Sequence, residues 1–149
     1  MGSEMCIRDS LKPPKFRLLR TRIINYLTYF HSTFNIKDEH TLFLAVKIFD
    51  NFLVKNKSGK DKLQRLGSAC MLLAEKYEEI YPTSIEYYIK LSARSFTQEQ
   101  LVKEELRVSE FFNHHLKFSP SHYKFFSLFI KLTKSSEEVK NIGNLLLHL

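Results

Sequence analysis

The chain has 149 residues, of which 44% are hydrophobic and 26% are charged, a composition that argues for one folded domain and against disorder. Four Gly and four Pro favour helices over a turn-rich β fold, and two Cys fit no disulfide framework, which indicates a reducing compartment. The formal net charge is +7, but the basic residues are spread along the chain, so we favour a solvated basic surface over a nucleic-acid site.

The first ten residues match nothing that follows, and we expect residues 1–14 to be a disordered or non-native leader. Arg8 to Leu11 has the minimal R-x-x-L form, a pattern so short that it is common by chance. No apolar run in the chain approaches the roughly 18 residues that are needed to span a bilayer, so we expect no membrane partner.

Two amphipathic helices are predicted after the leader. The first runs from about Arg17 to Phe34 and carries an inner apolar stripe at helical spacing, Ile23, Leu27, Phe30 and Phe34. Asp38 has the side chain of an N-cap for the second helix, which runs to about Lys55 and ends before a polar loop at residues 56–59.

The third predicted helix is the centre of the fold. It extends from Leu63 to Pro82, is apolar on most sides, and contains the small residues Gly67–Cys70, which allow neighbouring helices to pack closely. Pro82 should end it, because proline has no backbone N–H to donate. Lys76 stands among apolar residues near this end, which indicates a recognition surface there.

Two capping-box patterns predict the next helices. One begins at Thr83 and its helix runs to about Leu91; the other begins at Thr97 and its helix runs to about Asn113. With no competing strand pattern, the sequence predicts an all-α bundle of five helices around the third. One or two more helices are expected after Ser119-Pro120 and Ser135-Ser136.

At the end of the central helix, the run LLAEKYEEIYP resembles the signature of the cyclin box, whose common form is LLASKYEEIYPP, and the wording is most similar to the mitotic A and B types. The resemblance covers about Lys15 to Leu149. It implies an N-terminal cyclin box at residues 15–117 and the start of a truncated C-terminal box at residues 118–149.

Three charged residues, Asp50, Lys76 and Glu105, interrupt apolar stripes, where an unpaired charge would be costly. Arg20, one turn before Ile23, is the expected partner of Asp50 across the first two helices. The resemblance implies the same pair, since cyclins join an Arg of the first helix to an Asp of the second.

For Lys76 and Glu105 the residues alone leave two interpretations, a salt bridge between the two or simple solvation. The resemblance implies a third, in which both bind the C-helix of a kinase and the backbone beside it. Lys would donate to carbonyls and Glu would accept from N–H groups. The apolar part of this surface would be Leu73, Tyr77, Ile80 and Leu116; His114 departs from the family, which has an aromatic residue there.

The resemblance also implies a docking patch for kinase substrates or inhibitors on the first and third helices. The matching positions are Leu19, Ile23, Tyr26, Leu63 and Gln64. Arg22 and Tyr29 depart from the family pattern, and Tyr29 replaces an acidic residue that would bind a substrate Arg. The shape of the patch is therefore expected to persist without its charge preference.

Known catalytic signatures are absent from the sequence, which has no Gly-rich phosphate loop, nucleophile elbow or CxxC pair. We therefore expect a non-enzymatic protein without metal or cofactor. The resemblance implies an activating subunit of a cyclin-dependent protein kinase in the nucleus and cytoplasm. The alternative is a cyclin-fold scaffold of transcription that binds DNA, which the basic charge permits but the intact KYEEIYP run disfavours.

Overall fold

A computed structural model describes residues 14–36, 38–56, 58–59, 62–113, 122–133, 137 and 141–142. Within them every regular element is a helix, which confirms the all-α prediction. The six helices are α1 (Pro14–Thr33), α2 (Glu39–Lys55), α3 (Leu63–Glu78), α4 (Ile85–Leu91), α5 (Gln98–Phe111) and α6 (His122–Thr133). None of the helices in this part of the chain is both long and apolar enough to cross a membrane.

Helix α3 lies at the centre of the bundle, with α2 and α5 as its main neighbours and α1 against its first half. Nearly all of its side chains from Leu63 to Glu75 are buried. At Gly67 a Cβ atom would lie only 2.7 Å from Cγ2 of Ile23 on α1, so the close approach of these helices requires glycine there. Other large core residues come from α1 and α2, with Leu27 and Phe30 of the predicted stripe and Phe49 and Phe52 of α2 almost fully buried.

Two predicted helix starts are present with their capping contacts. Asp38 accepts a hydrogen bond from the backbone N–H of His40 and caps α2. At α5 the Thr97 hydroxyl accepts from the N–H of Gln100 at 3.3 Å, while the Gln100 side chain accepts from the N–H of Thr97 at 3.1 Å. This reciprocal pair is a complete capping box.

The predicted end of the central helix was wrong, since α3 ends at Glu78, four residues before Pro82. Glu79 has an extended backbone, with φ −97° and ψ 141°. The residue before a proline avoids helical angles, so Tyr81 cannot continue the helix. A loop of residues 79–84 therefore separates α3 from α4.

The predicted capping box at Thr83 was also wrong. The N-cap of α4 is Ser84, whose side chain makes no capping hydrogen bond. The N–H of Thr83 instead donates to the Glu75 side chain at 2.5 Å. Of the predicted leader, residues 1–13 lie outside the described residues, and Pro14 is the first residue of α1. The predicted helix starts at Ser119-Pro120 and Ser135-Ser136, and both Leu116 and His114, also lie outside them.

An ion pair joins α1 to α2. Arg20 donates to both carboxylate oxygens of Asp50, from Nε at 2.8 Å and from Nη2 at 2.7 Å. Both side chains are largely buried, at 19% and 11% exposure. Two parallel N–H···O bonds fix the distance and rotation of the two helices.

Candidate functional site

A Lys–Glu pair lies where the last turn of α3 meets the middle of α5. Lys76 Nζ donates to Glu105 Oε1 at 2.6 Å. The Lys76 side chain is 47% exposed, whereas that of Glu105 is 11% exposed. Lysine has three N–H donors and a carboxylate can accept several hydrogen bonds, so each residue has capacity for a further partner. The structure thus brings the two charges together at the edge of the bundle.

Large apolar side chains accompany this pair. Tyr77 is 59% exposed and Ile80 is 86% exposed, while Leu73 is buried at the edge of the core. The sequence-based prediction missed Tyr81, which is 92% exposed at the tip of loop 79–84. Tyr77, Ile80 and Tyr81 thus place three large exposed side chains within five positions of the chain beside Lys76, an arrangement that can form the apolar part of a binding surface.

The two acidic residues that follow Tyr77 tether loop 79–84 to the start of α2. Glu78 Oε1 lies 3.1 Å from His40 Nε2. Glu79 Oε1 accepts from the Thr41 hydroxyl at 2.7 Å. These contacts were not predicted, because the two partners lie 38 positions away along the chain. These contacts fix the direction in which the chain leaves α3 just before Ile80.

Glu75 is the most deeply buried acidic residue described, with 1% exposure. Its Oε1 accepts from the Tyr88 hydroxyl at 2.6 Å, and its Oε2 accepts from the N–H of Thr83. Burial raises the pKa of Tyr88 well above its ordinary value, and the nearby charge of Glu75 raises the pKa further. The one local signal of this role is a Glu where the common motif has Ser.

Stability should fall at high pH because of Tyr88. Its pKa is raised in the folded protein, so the stabilisation is complete below about pH 10, where the unfolded Tyr ionises, and is lost as pH rises toward the folded pKa. Urea unfolding from pH 9 to 11 should show a free energy of unfolding that declines by up to about 1.4 kcal/mol per pH unit more steeply than in Tyr88→Phe. Equal declines in the two proteins would contradict this role of Tyr88.

The predicted docking patch is assembled from α1 and the first turns of α3. Leu19, Tyr26 and Gln64 are half-buried, while Ile23 and Leu63 belong to the core. The Tyr26 hydroxyl lies 3.0 Å from Ser68 Oγ. Burial raises the pKa of Tyr26, and hydrogen bonds to Ser68 and Gln64 oppose that rise. Ile23 and Leu63 can therefore shape the floor of the patch, and Tyr29, 60% exposed, lies on the same helix.

A second charged cluster was not predicted. Glu104 on α5 is buried and lies against Arg107 one turn later and 3.6 Å from Arg65 on α3. The Arg107 guanidinium also lies over the Phe52 ring, 5.0 Å from its centroid. Because these contacts join α5 to α3 and α2, Glu104, Arg107 and Arg65 are explained by packing within the bundle. In the described part of the chain no group of three or more His, Cys, Asp or Glu could hold a metal ion.

Comparisons with known proteins find a family match over most of the chain. Residues 6–117 match the family model described as cyclin, N-terminal domain. Cyclin-B2-1 of Oryza sativa subsp. japonica is 33% identical over 131 residues, which are 88% of this chain and 31% of the rice protein. Cyclin-A1 of Homo sapiens is 38% identical over 87 residues, which are 58% of this chain and 18% of the human protein.

A solved structure gives the same fold. The X-ray structure of a viral cyclin from herpesvirus saimiri superimposes with a TM-score of 0.71 at 24% sequence identity, covering 81% of this chain and 52% of the viral one. That match supports the fold alone. The chain spans less than one third of the length of the rice relative.

Proposed function

We propose that this chain, which belongs to the cyclin family, is the kinase-binding part of a regulatory subunit that activates a cyclin-dependent protein kinase in cell division. Its curated relatives include proteins named as mitotic cyclins, such as the G2/mitotic-specific cyclin-B3 of Gallus gallus, 29% identical over 127 residues. The role we propose is regulatory, with the kinase supplying the catalytic residues.

The grouping of the Lys76–Glu105 pair with Tyr77, Ile80 and Tyr81 is the main support for this function. The pair provides an N–H donor and a carboxylate acceptor that suit the carbonyls and N–H groups of a partner's backbone. Burying these three exposed side chains against a kinase would favour binding by roughly 25 cal/mol for each Å² of apolar surface removed from water. Those side chains would also exclude water from the charged contacts, which strengthens them.

The mechanism we propose is the stabilisation of one kinase conformation. Active protein kinases need an ion pair between a lysine of the small lobe and a glutamate of the C-helix, together with an ordered activation segment. A rigid surface that binds the C-helix in its inward position favours that state by its differential affinity. Lys76 and Tyr77 lie on α3 and Glu105 lies on α5, and because these two helices pack against each other in the bundle, this part of the surface is pre-organised.

The docking patch completes the proposal. Leu19, Tyr26 and Gln64 would bind an apolar segment of a kinase substrate or inhibitor over a floor formed by Ile23 and Leu63. Arg22 and Tyr29 are exposed on α1 and offer no acidic group to a substrate arginine. We therefore expect the patch to select by shape more than by charge.

Kinase activation in a purified system tests this function. Adding the chain to monomeric cyclin-dependent kinases should stimulate histone phosphorylation, and affinity capture followed by mass spectrometry should recover a kinase. A DNA duplex should compete only weakly with the kinase for binding to the chain. Steeply salt-dependent DNA binding without kinase binding or stimulation would overturn the proposal and favour the transcription scaffold.

A further inference from the structure

A carboxylate with both oxygens engaged is buried directly before Lys76. Glu75 is 1% exposed, and its two oxygens accept from Tyr88 and from the backbone of Thr83 at 2.6 and 2.5 Å. A buried carboxylate without partners is strongly unfavourable, so these two hydrogen bonds are needed to keep Glu75 inside the bundle. The carboxylate therefore links α3 to the end of loop 79–84 and to α4.

The same two positions depart from the common motif. Where LLASKYEEIYPP has Ser and a second Pro, this chain has Glu75 and Thr83. Proline has no backbone N–H, so the donor that Glu75 binds exists only because residue 83 is not proline. These two positions are joined by one short hydrogen bond.

Loop 79–84 is thereby attached at both ends. At its start Glu79 accepts from Thr41 of α2, and at its end Thr83 donates to Glu75 of α3. Ile80 and Tyr81 lie between these attachments, at 86% and 92% exposure. The loop is thus held at both ends while these two large side chains lie in water.

The end attachment is rigid because Tyr88 belongs to the core. Tyr88 is fully buried, and its ring stacks on Phe30 of α1 with 4.1 Å between centroids. The hydroxyl that binds Glu75 is therefore fixed by packing from α1 as well as by its own helix. A carboxylate held by such a donor has little freedom to follow a moving loop.

We propose that Glu75 is a positioning residue that holds loop 79–84, through Thr83 and Tyr88, in the conformation that presents Ile80 and Tyr81 to a partner. The identity of that partner as a kinase rests on the proposed function above. The attachment of the loop does not, so the two are tested separately.

A double-mutant cycle tests the attachment. Glu75→Ser leaves the Thr83 N–H without its acceptor, and Thr83→Pro places a ring carbon against the Glu75 carboxylate. Each should raise the unfolding equilibrium constant, measured with urea, about tenfold or more. In the double variant the rise in that constant should be at least about tenfold smaller than the product of the two single rises. Additive effects would overturn the attachment.

A proline one residue later is the matched control. Ser84 has φ −61°, which proline accepts, so Ser84→Pro is compatible with the loop but leaves the Thr83 N–H in place. Combined with Glu75→Ser it should give no recovery. Equal recovery with both prolines would show that loop stiffness, and not the Thr83–Glu75 bond, is responsible, and would overturn the proposal.

Kinase association rates test the positioning role. At a temperature where every variant is folded, Glu75→Ser and the double variant should both associate about tenfold more slowly than the wild type, since both lack the bond that holds the loop ready to dock without rearranging. A non-additive cycle with unchanged association would overturn the positioning role while the proposed function stands. If the wild-type chain binds no kinase, the proposed function fails, and the cycle alone still decides the attachment.

Discussion

Reversing the charge of Lys76 should abolish kinase binding, because a carboxylate cannot donate to backbone carbonyls and would be repelled by Glu105. Truncating one member of a desolvated charge pair in an interface typically costs 2–5 kcal/mol, so we expect Lys76→Glu and Glu105→Lys each to weaken affinity by roughly 100-fold or more. Isothermal titration with a purified kinase would measure this. Wild-type affinity in both variants would contradict the assigned surface.

The exchanged double variant separates a salt bridge that only joins α3 to α5 from the kinase-binding role that the resemblance implies for the same two residues. Lys76→Glu with Glu105→Lys restores an opposite-charge pair across the present 2.6 Å contact, so it should fold like the wild type. If the pair only joins α3 to α5, the exchange should restore kinase affinity. If each residue also binds the kinase, affinity should stay low, and this is the outcome we expect.

Removing Arg20 should cost a large part of the stability of the domain. Arg20→Met leaves the Asp50 carboxylate, 11% exposed, without its two charge-assisted hydrogen bonds. Breaking a buried pair in this way typically costs about 3–5 kcal/mol, a large part of the roughly 5–15 kcal/mol that stabilises a domain. Urea unfolding monitored by circular dichroism would measure the free energy of unfolding.

A double replacement distinguishes an unpaired charge from a general loss of packing. Arg20→Met with Asp50→Leu removes both charges, so its loss of stability should be much smaller than that of Arg20→Met alone. Arg20→Lys keeps the positive charge but cannot make two parallel bonds, and it should fall between wild type and Arg20→Met. Equal losses in the single and double variants would contradict the explanation.

The helices could be predicted because their signals are local. The stripe of Ile23, Leu27 and Phe30 repeats with the period of a helix, and the Asp38 and Thr97 caps bond within three residues of themselves. The end of α3 could not be predicted from such local signals. Pro82 set a limit on the helix, but the loop begins earlier, where Glu79 turns to α2.

The candidate site was predicted in part. Lys76 and Glu105 stood out as charges within apolar stripes, and the motif resemblance placed them on one surface. Their meeting at 2.6 Å, with 29 positions between them in the chain, required the packing of α5 on α3. Tyr81 was missed because nothing in its local sequence shows on which side of the loop it lies.

By itself the sequence determined the all-α class, the central third helix and the family, because periodicity, caps and a contiguous motif are carried by neighbouring residues. Only the tertiary structure decided which donors the acidic residues around Lys76 bind. Glu75 binds Tyr88 and Thr83, while Glu78 and Glu79 bind the start of α2. The physical reason is that a carboxylate is satisfied by whichever donor lies within about 3 Å, and helix packing, not chain order, determines that donor.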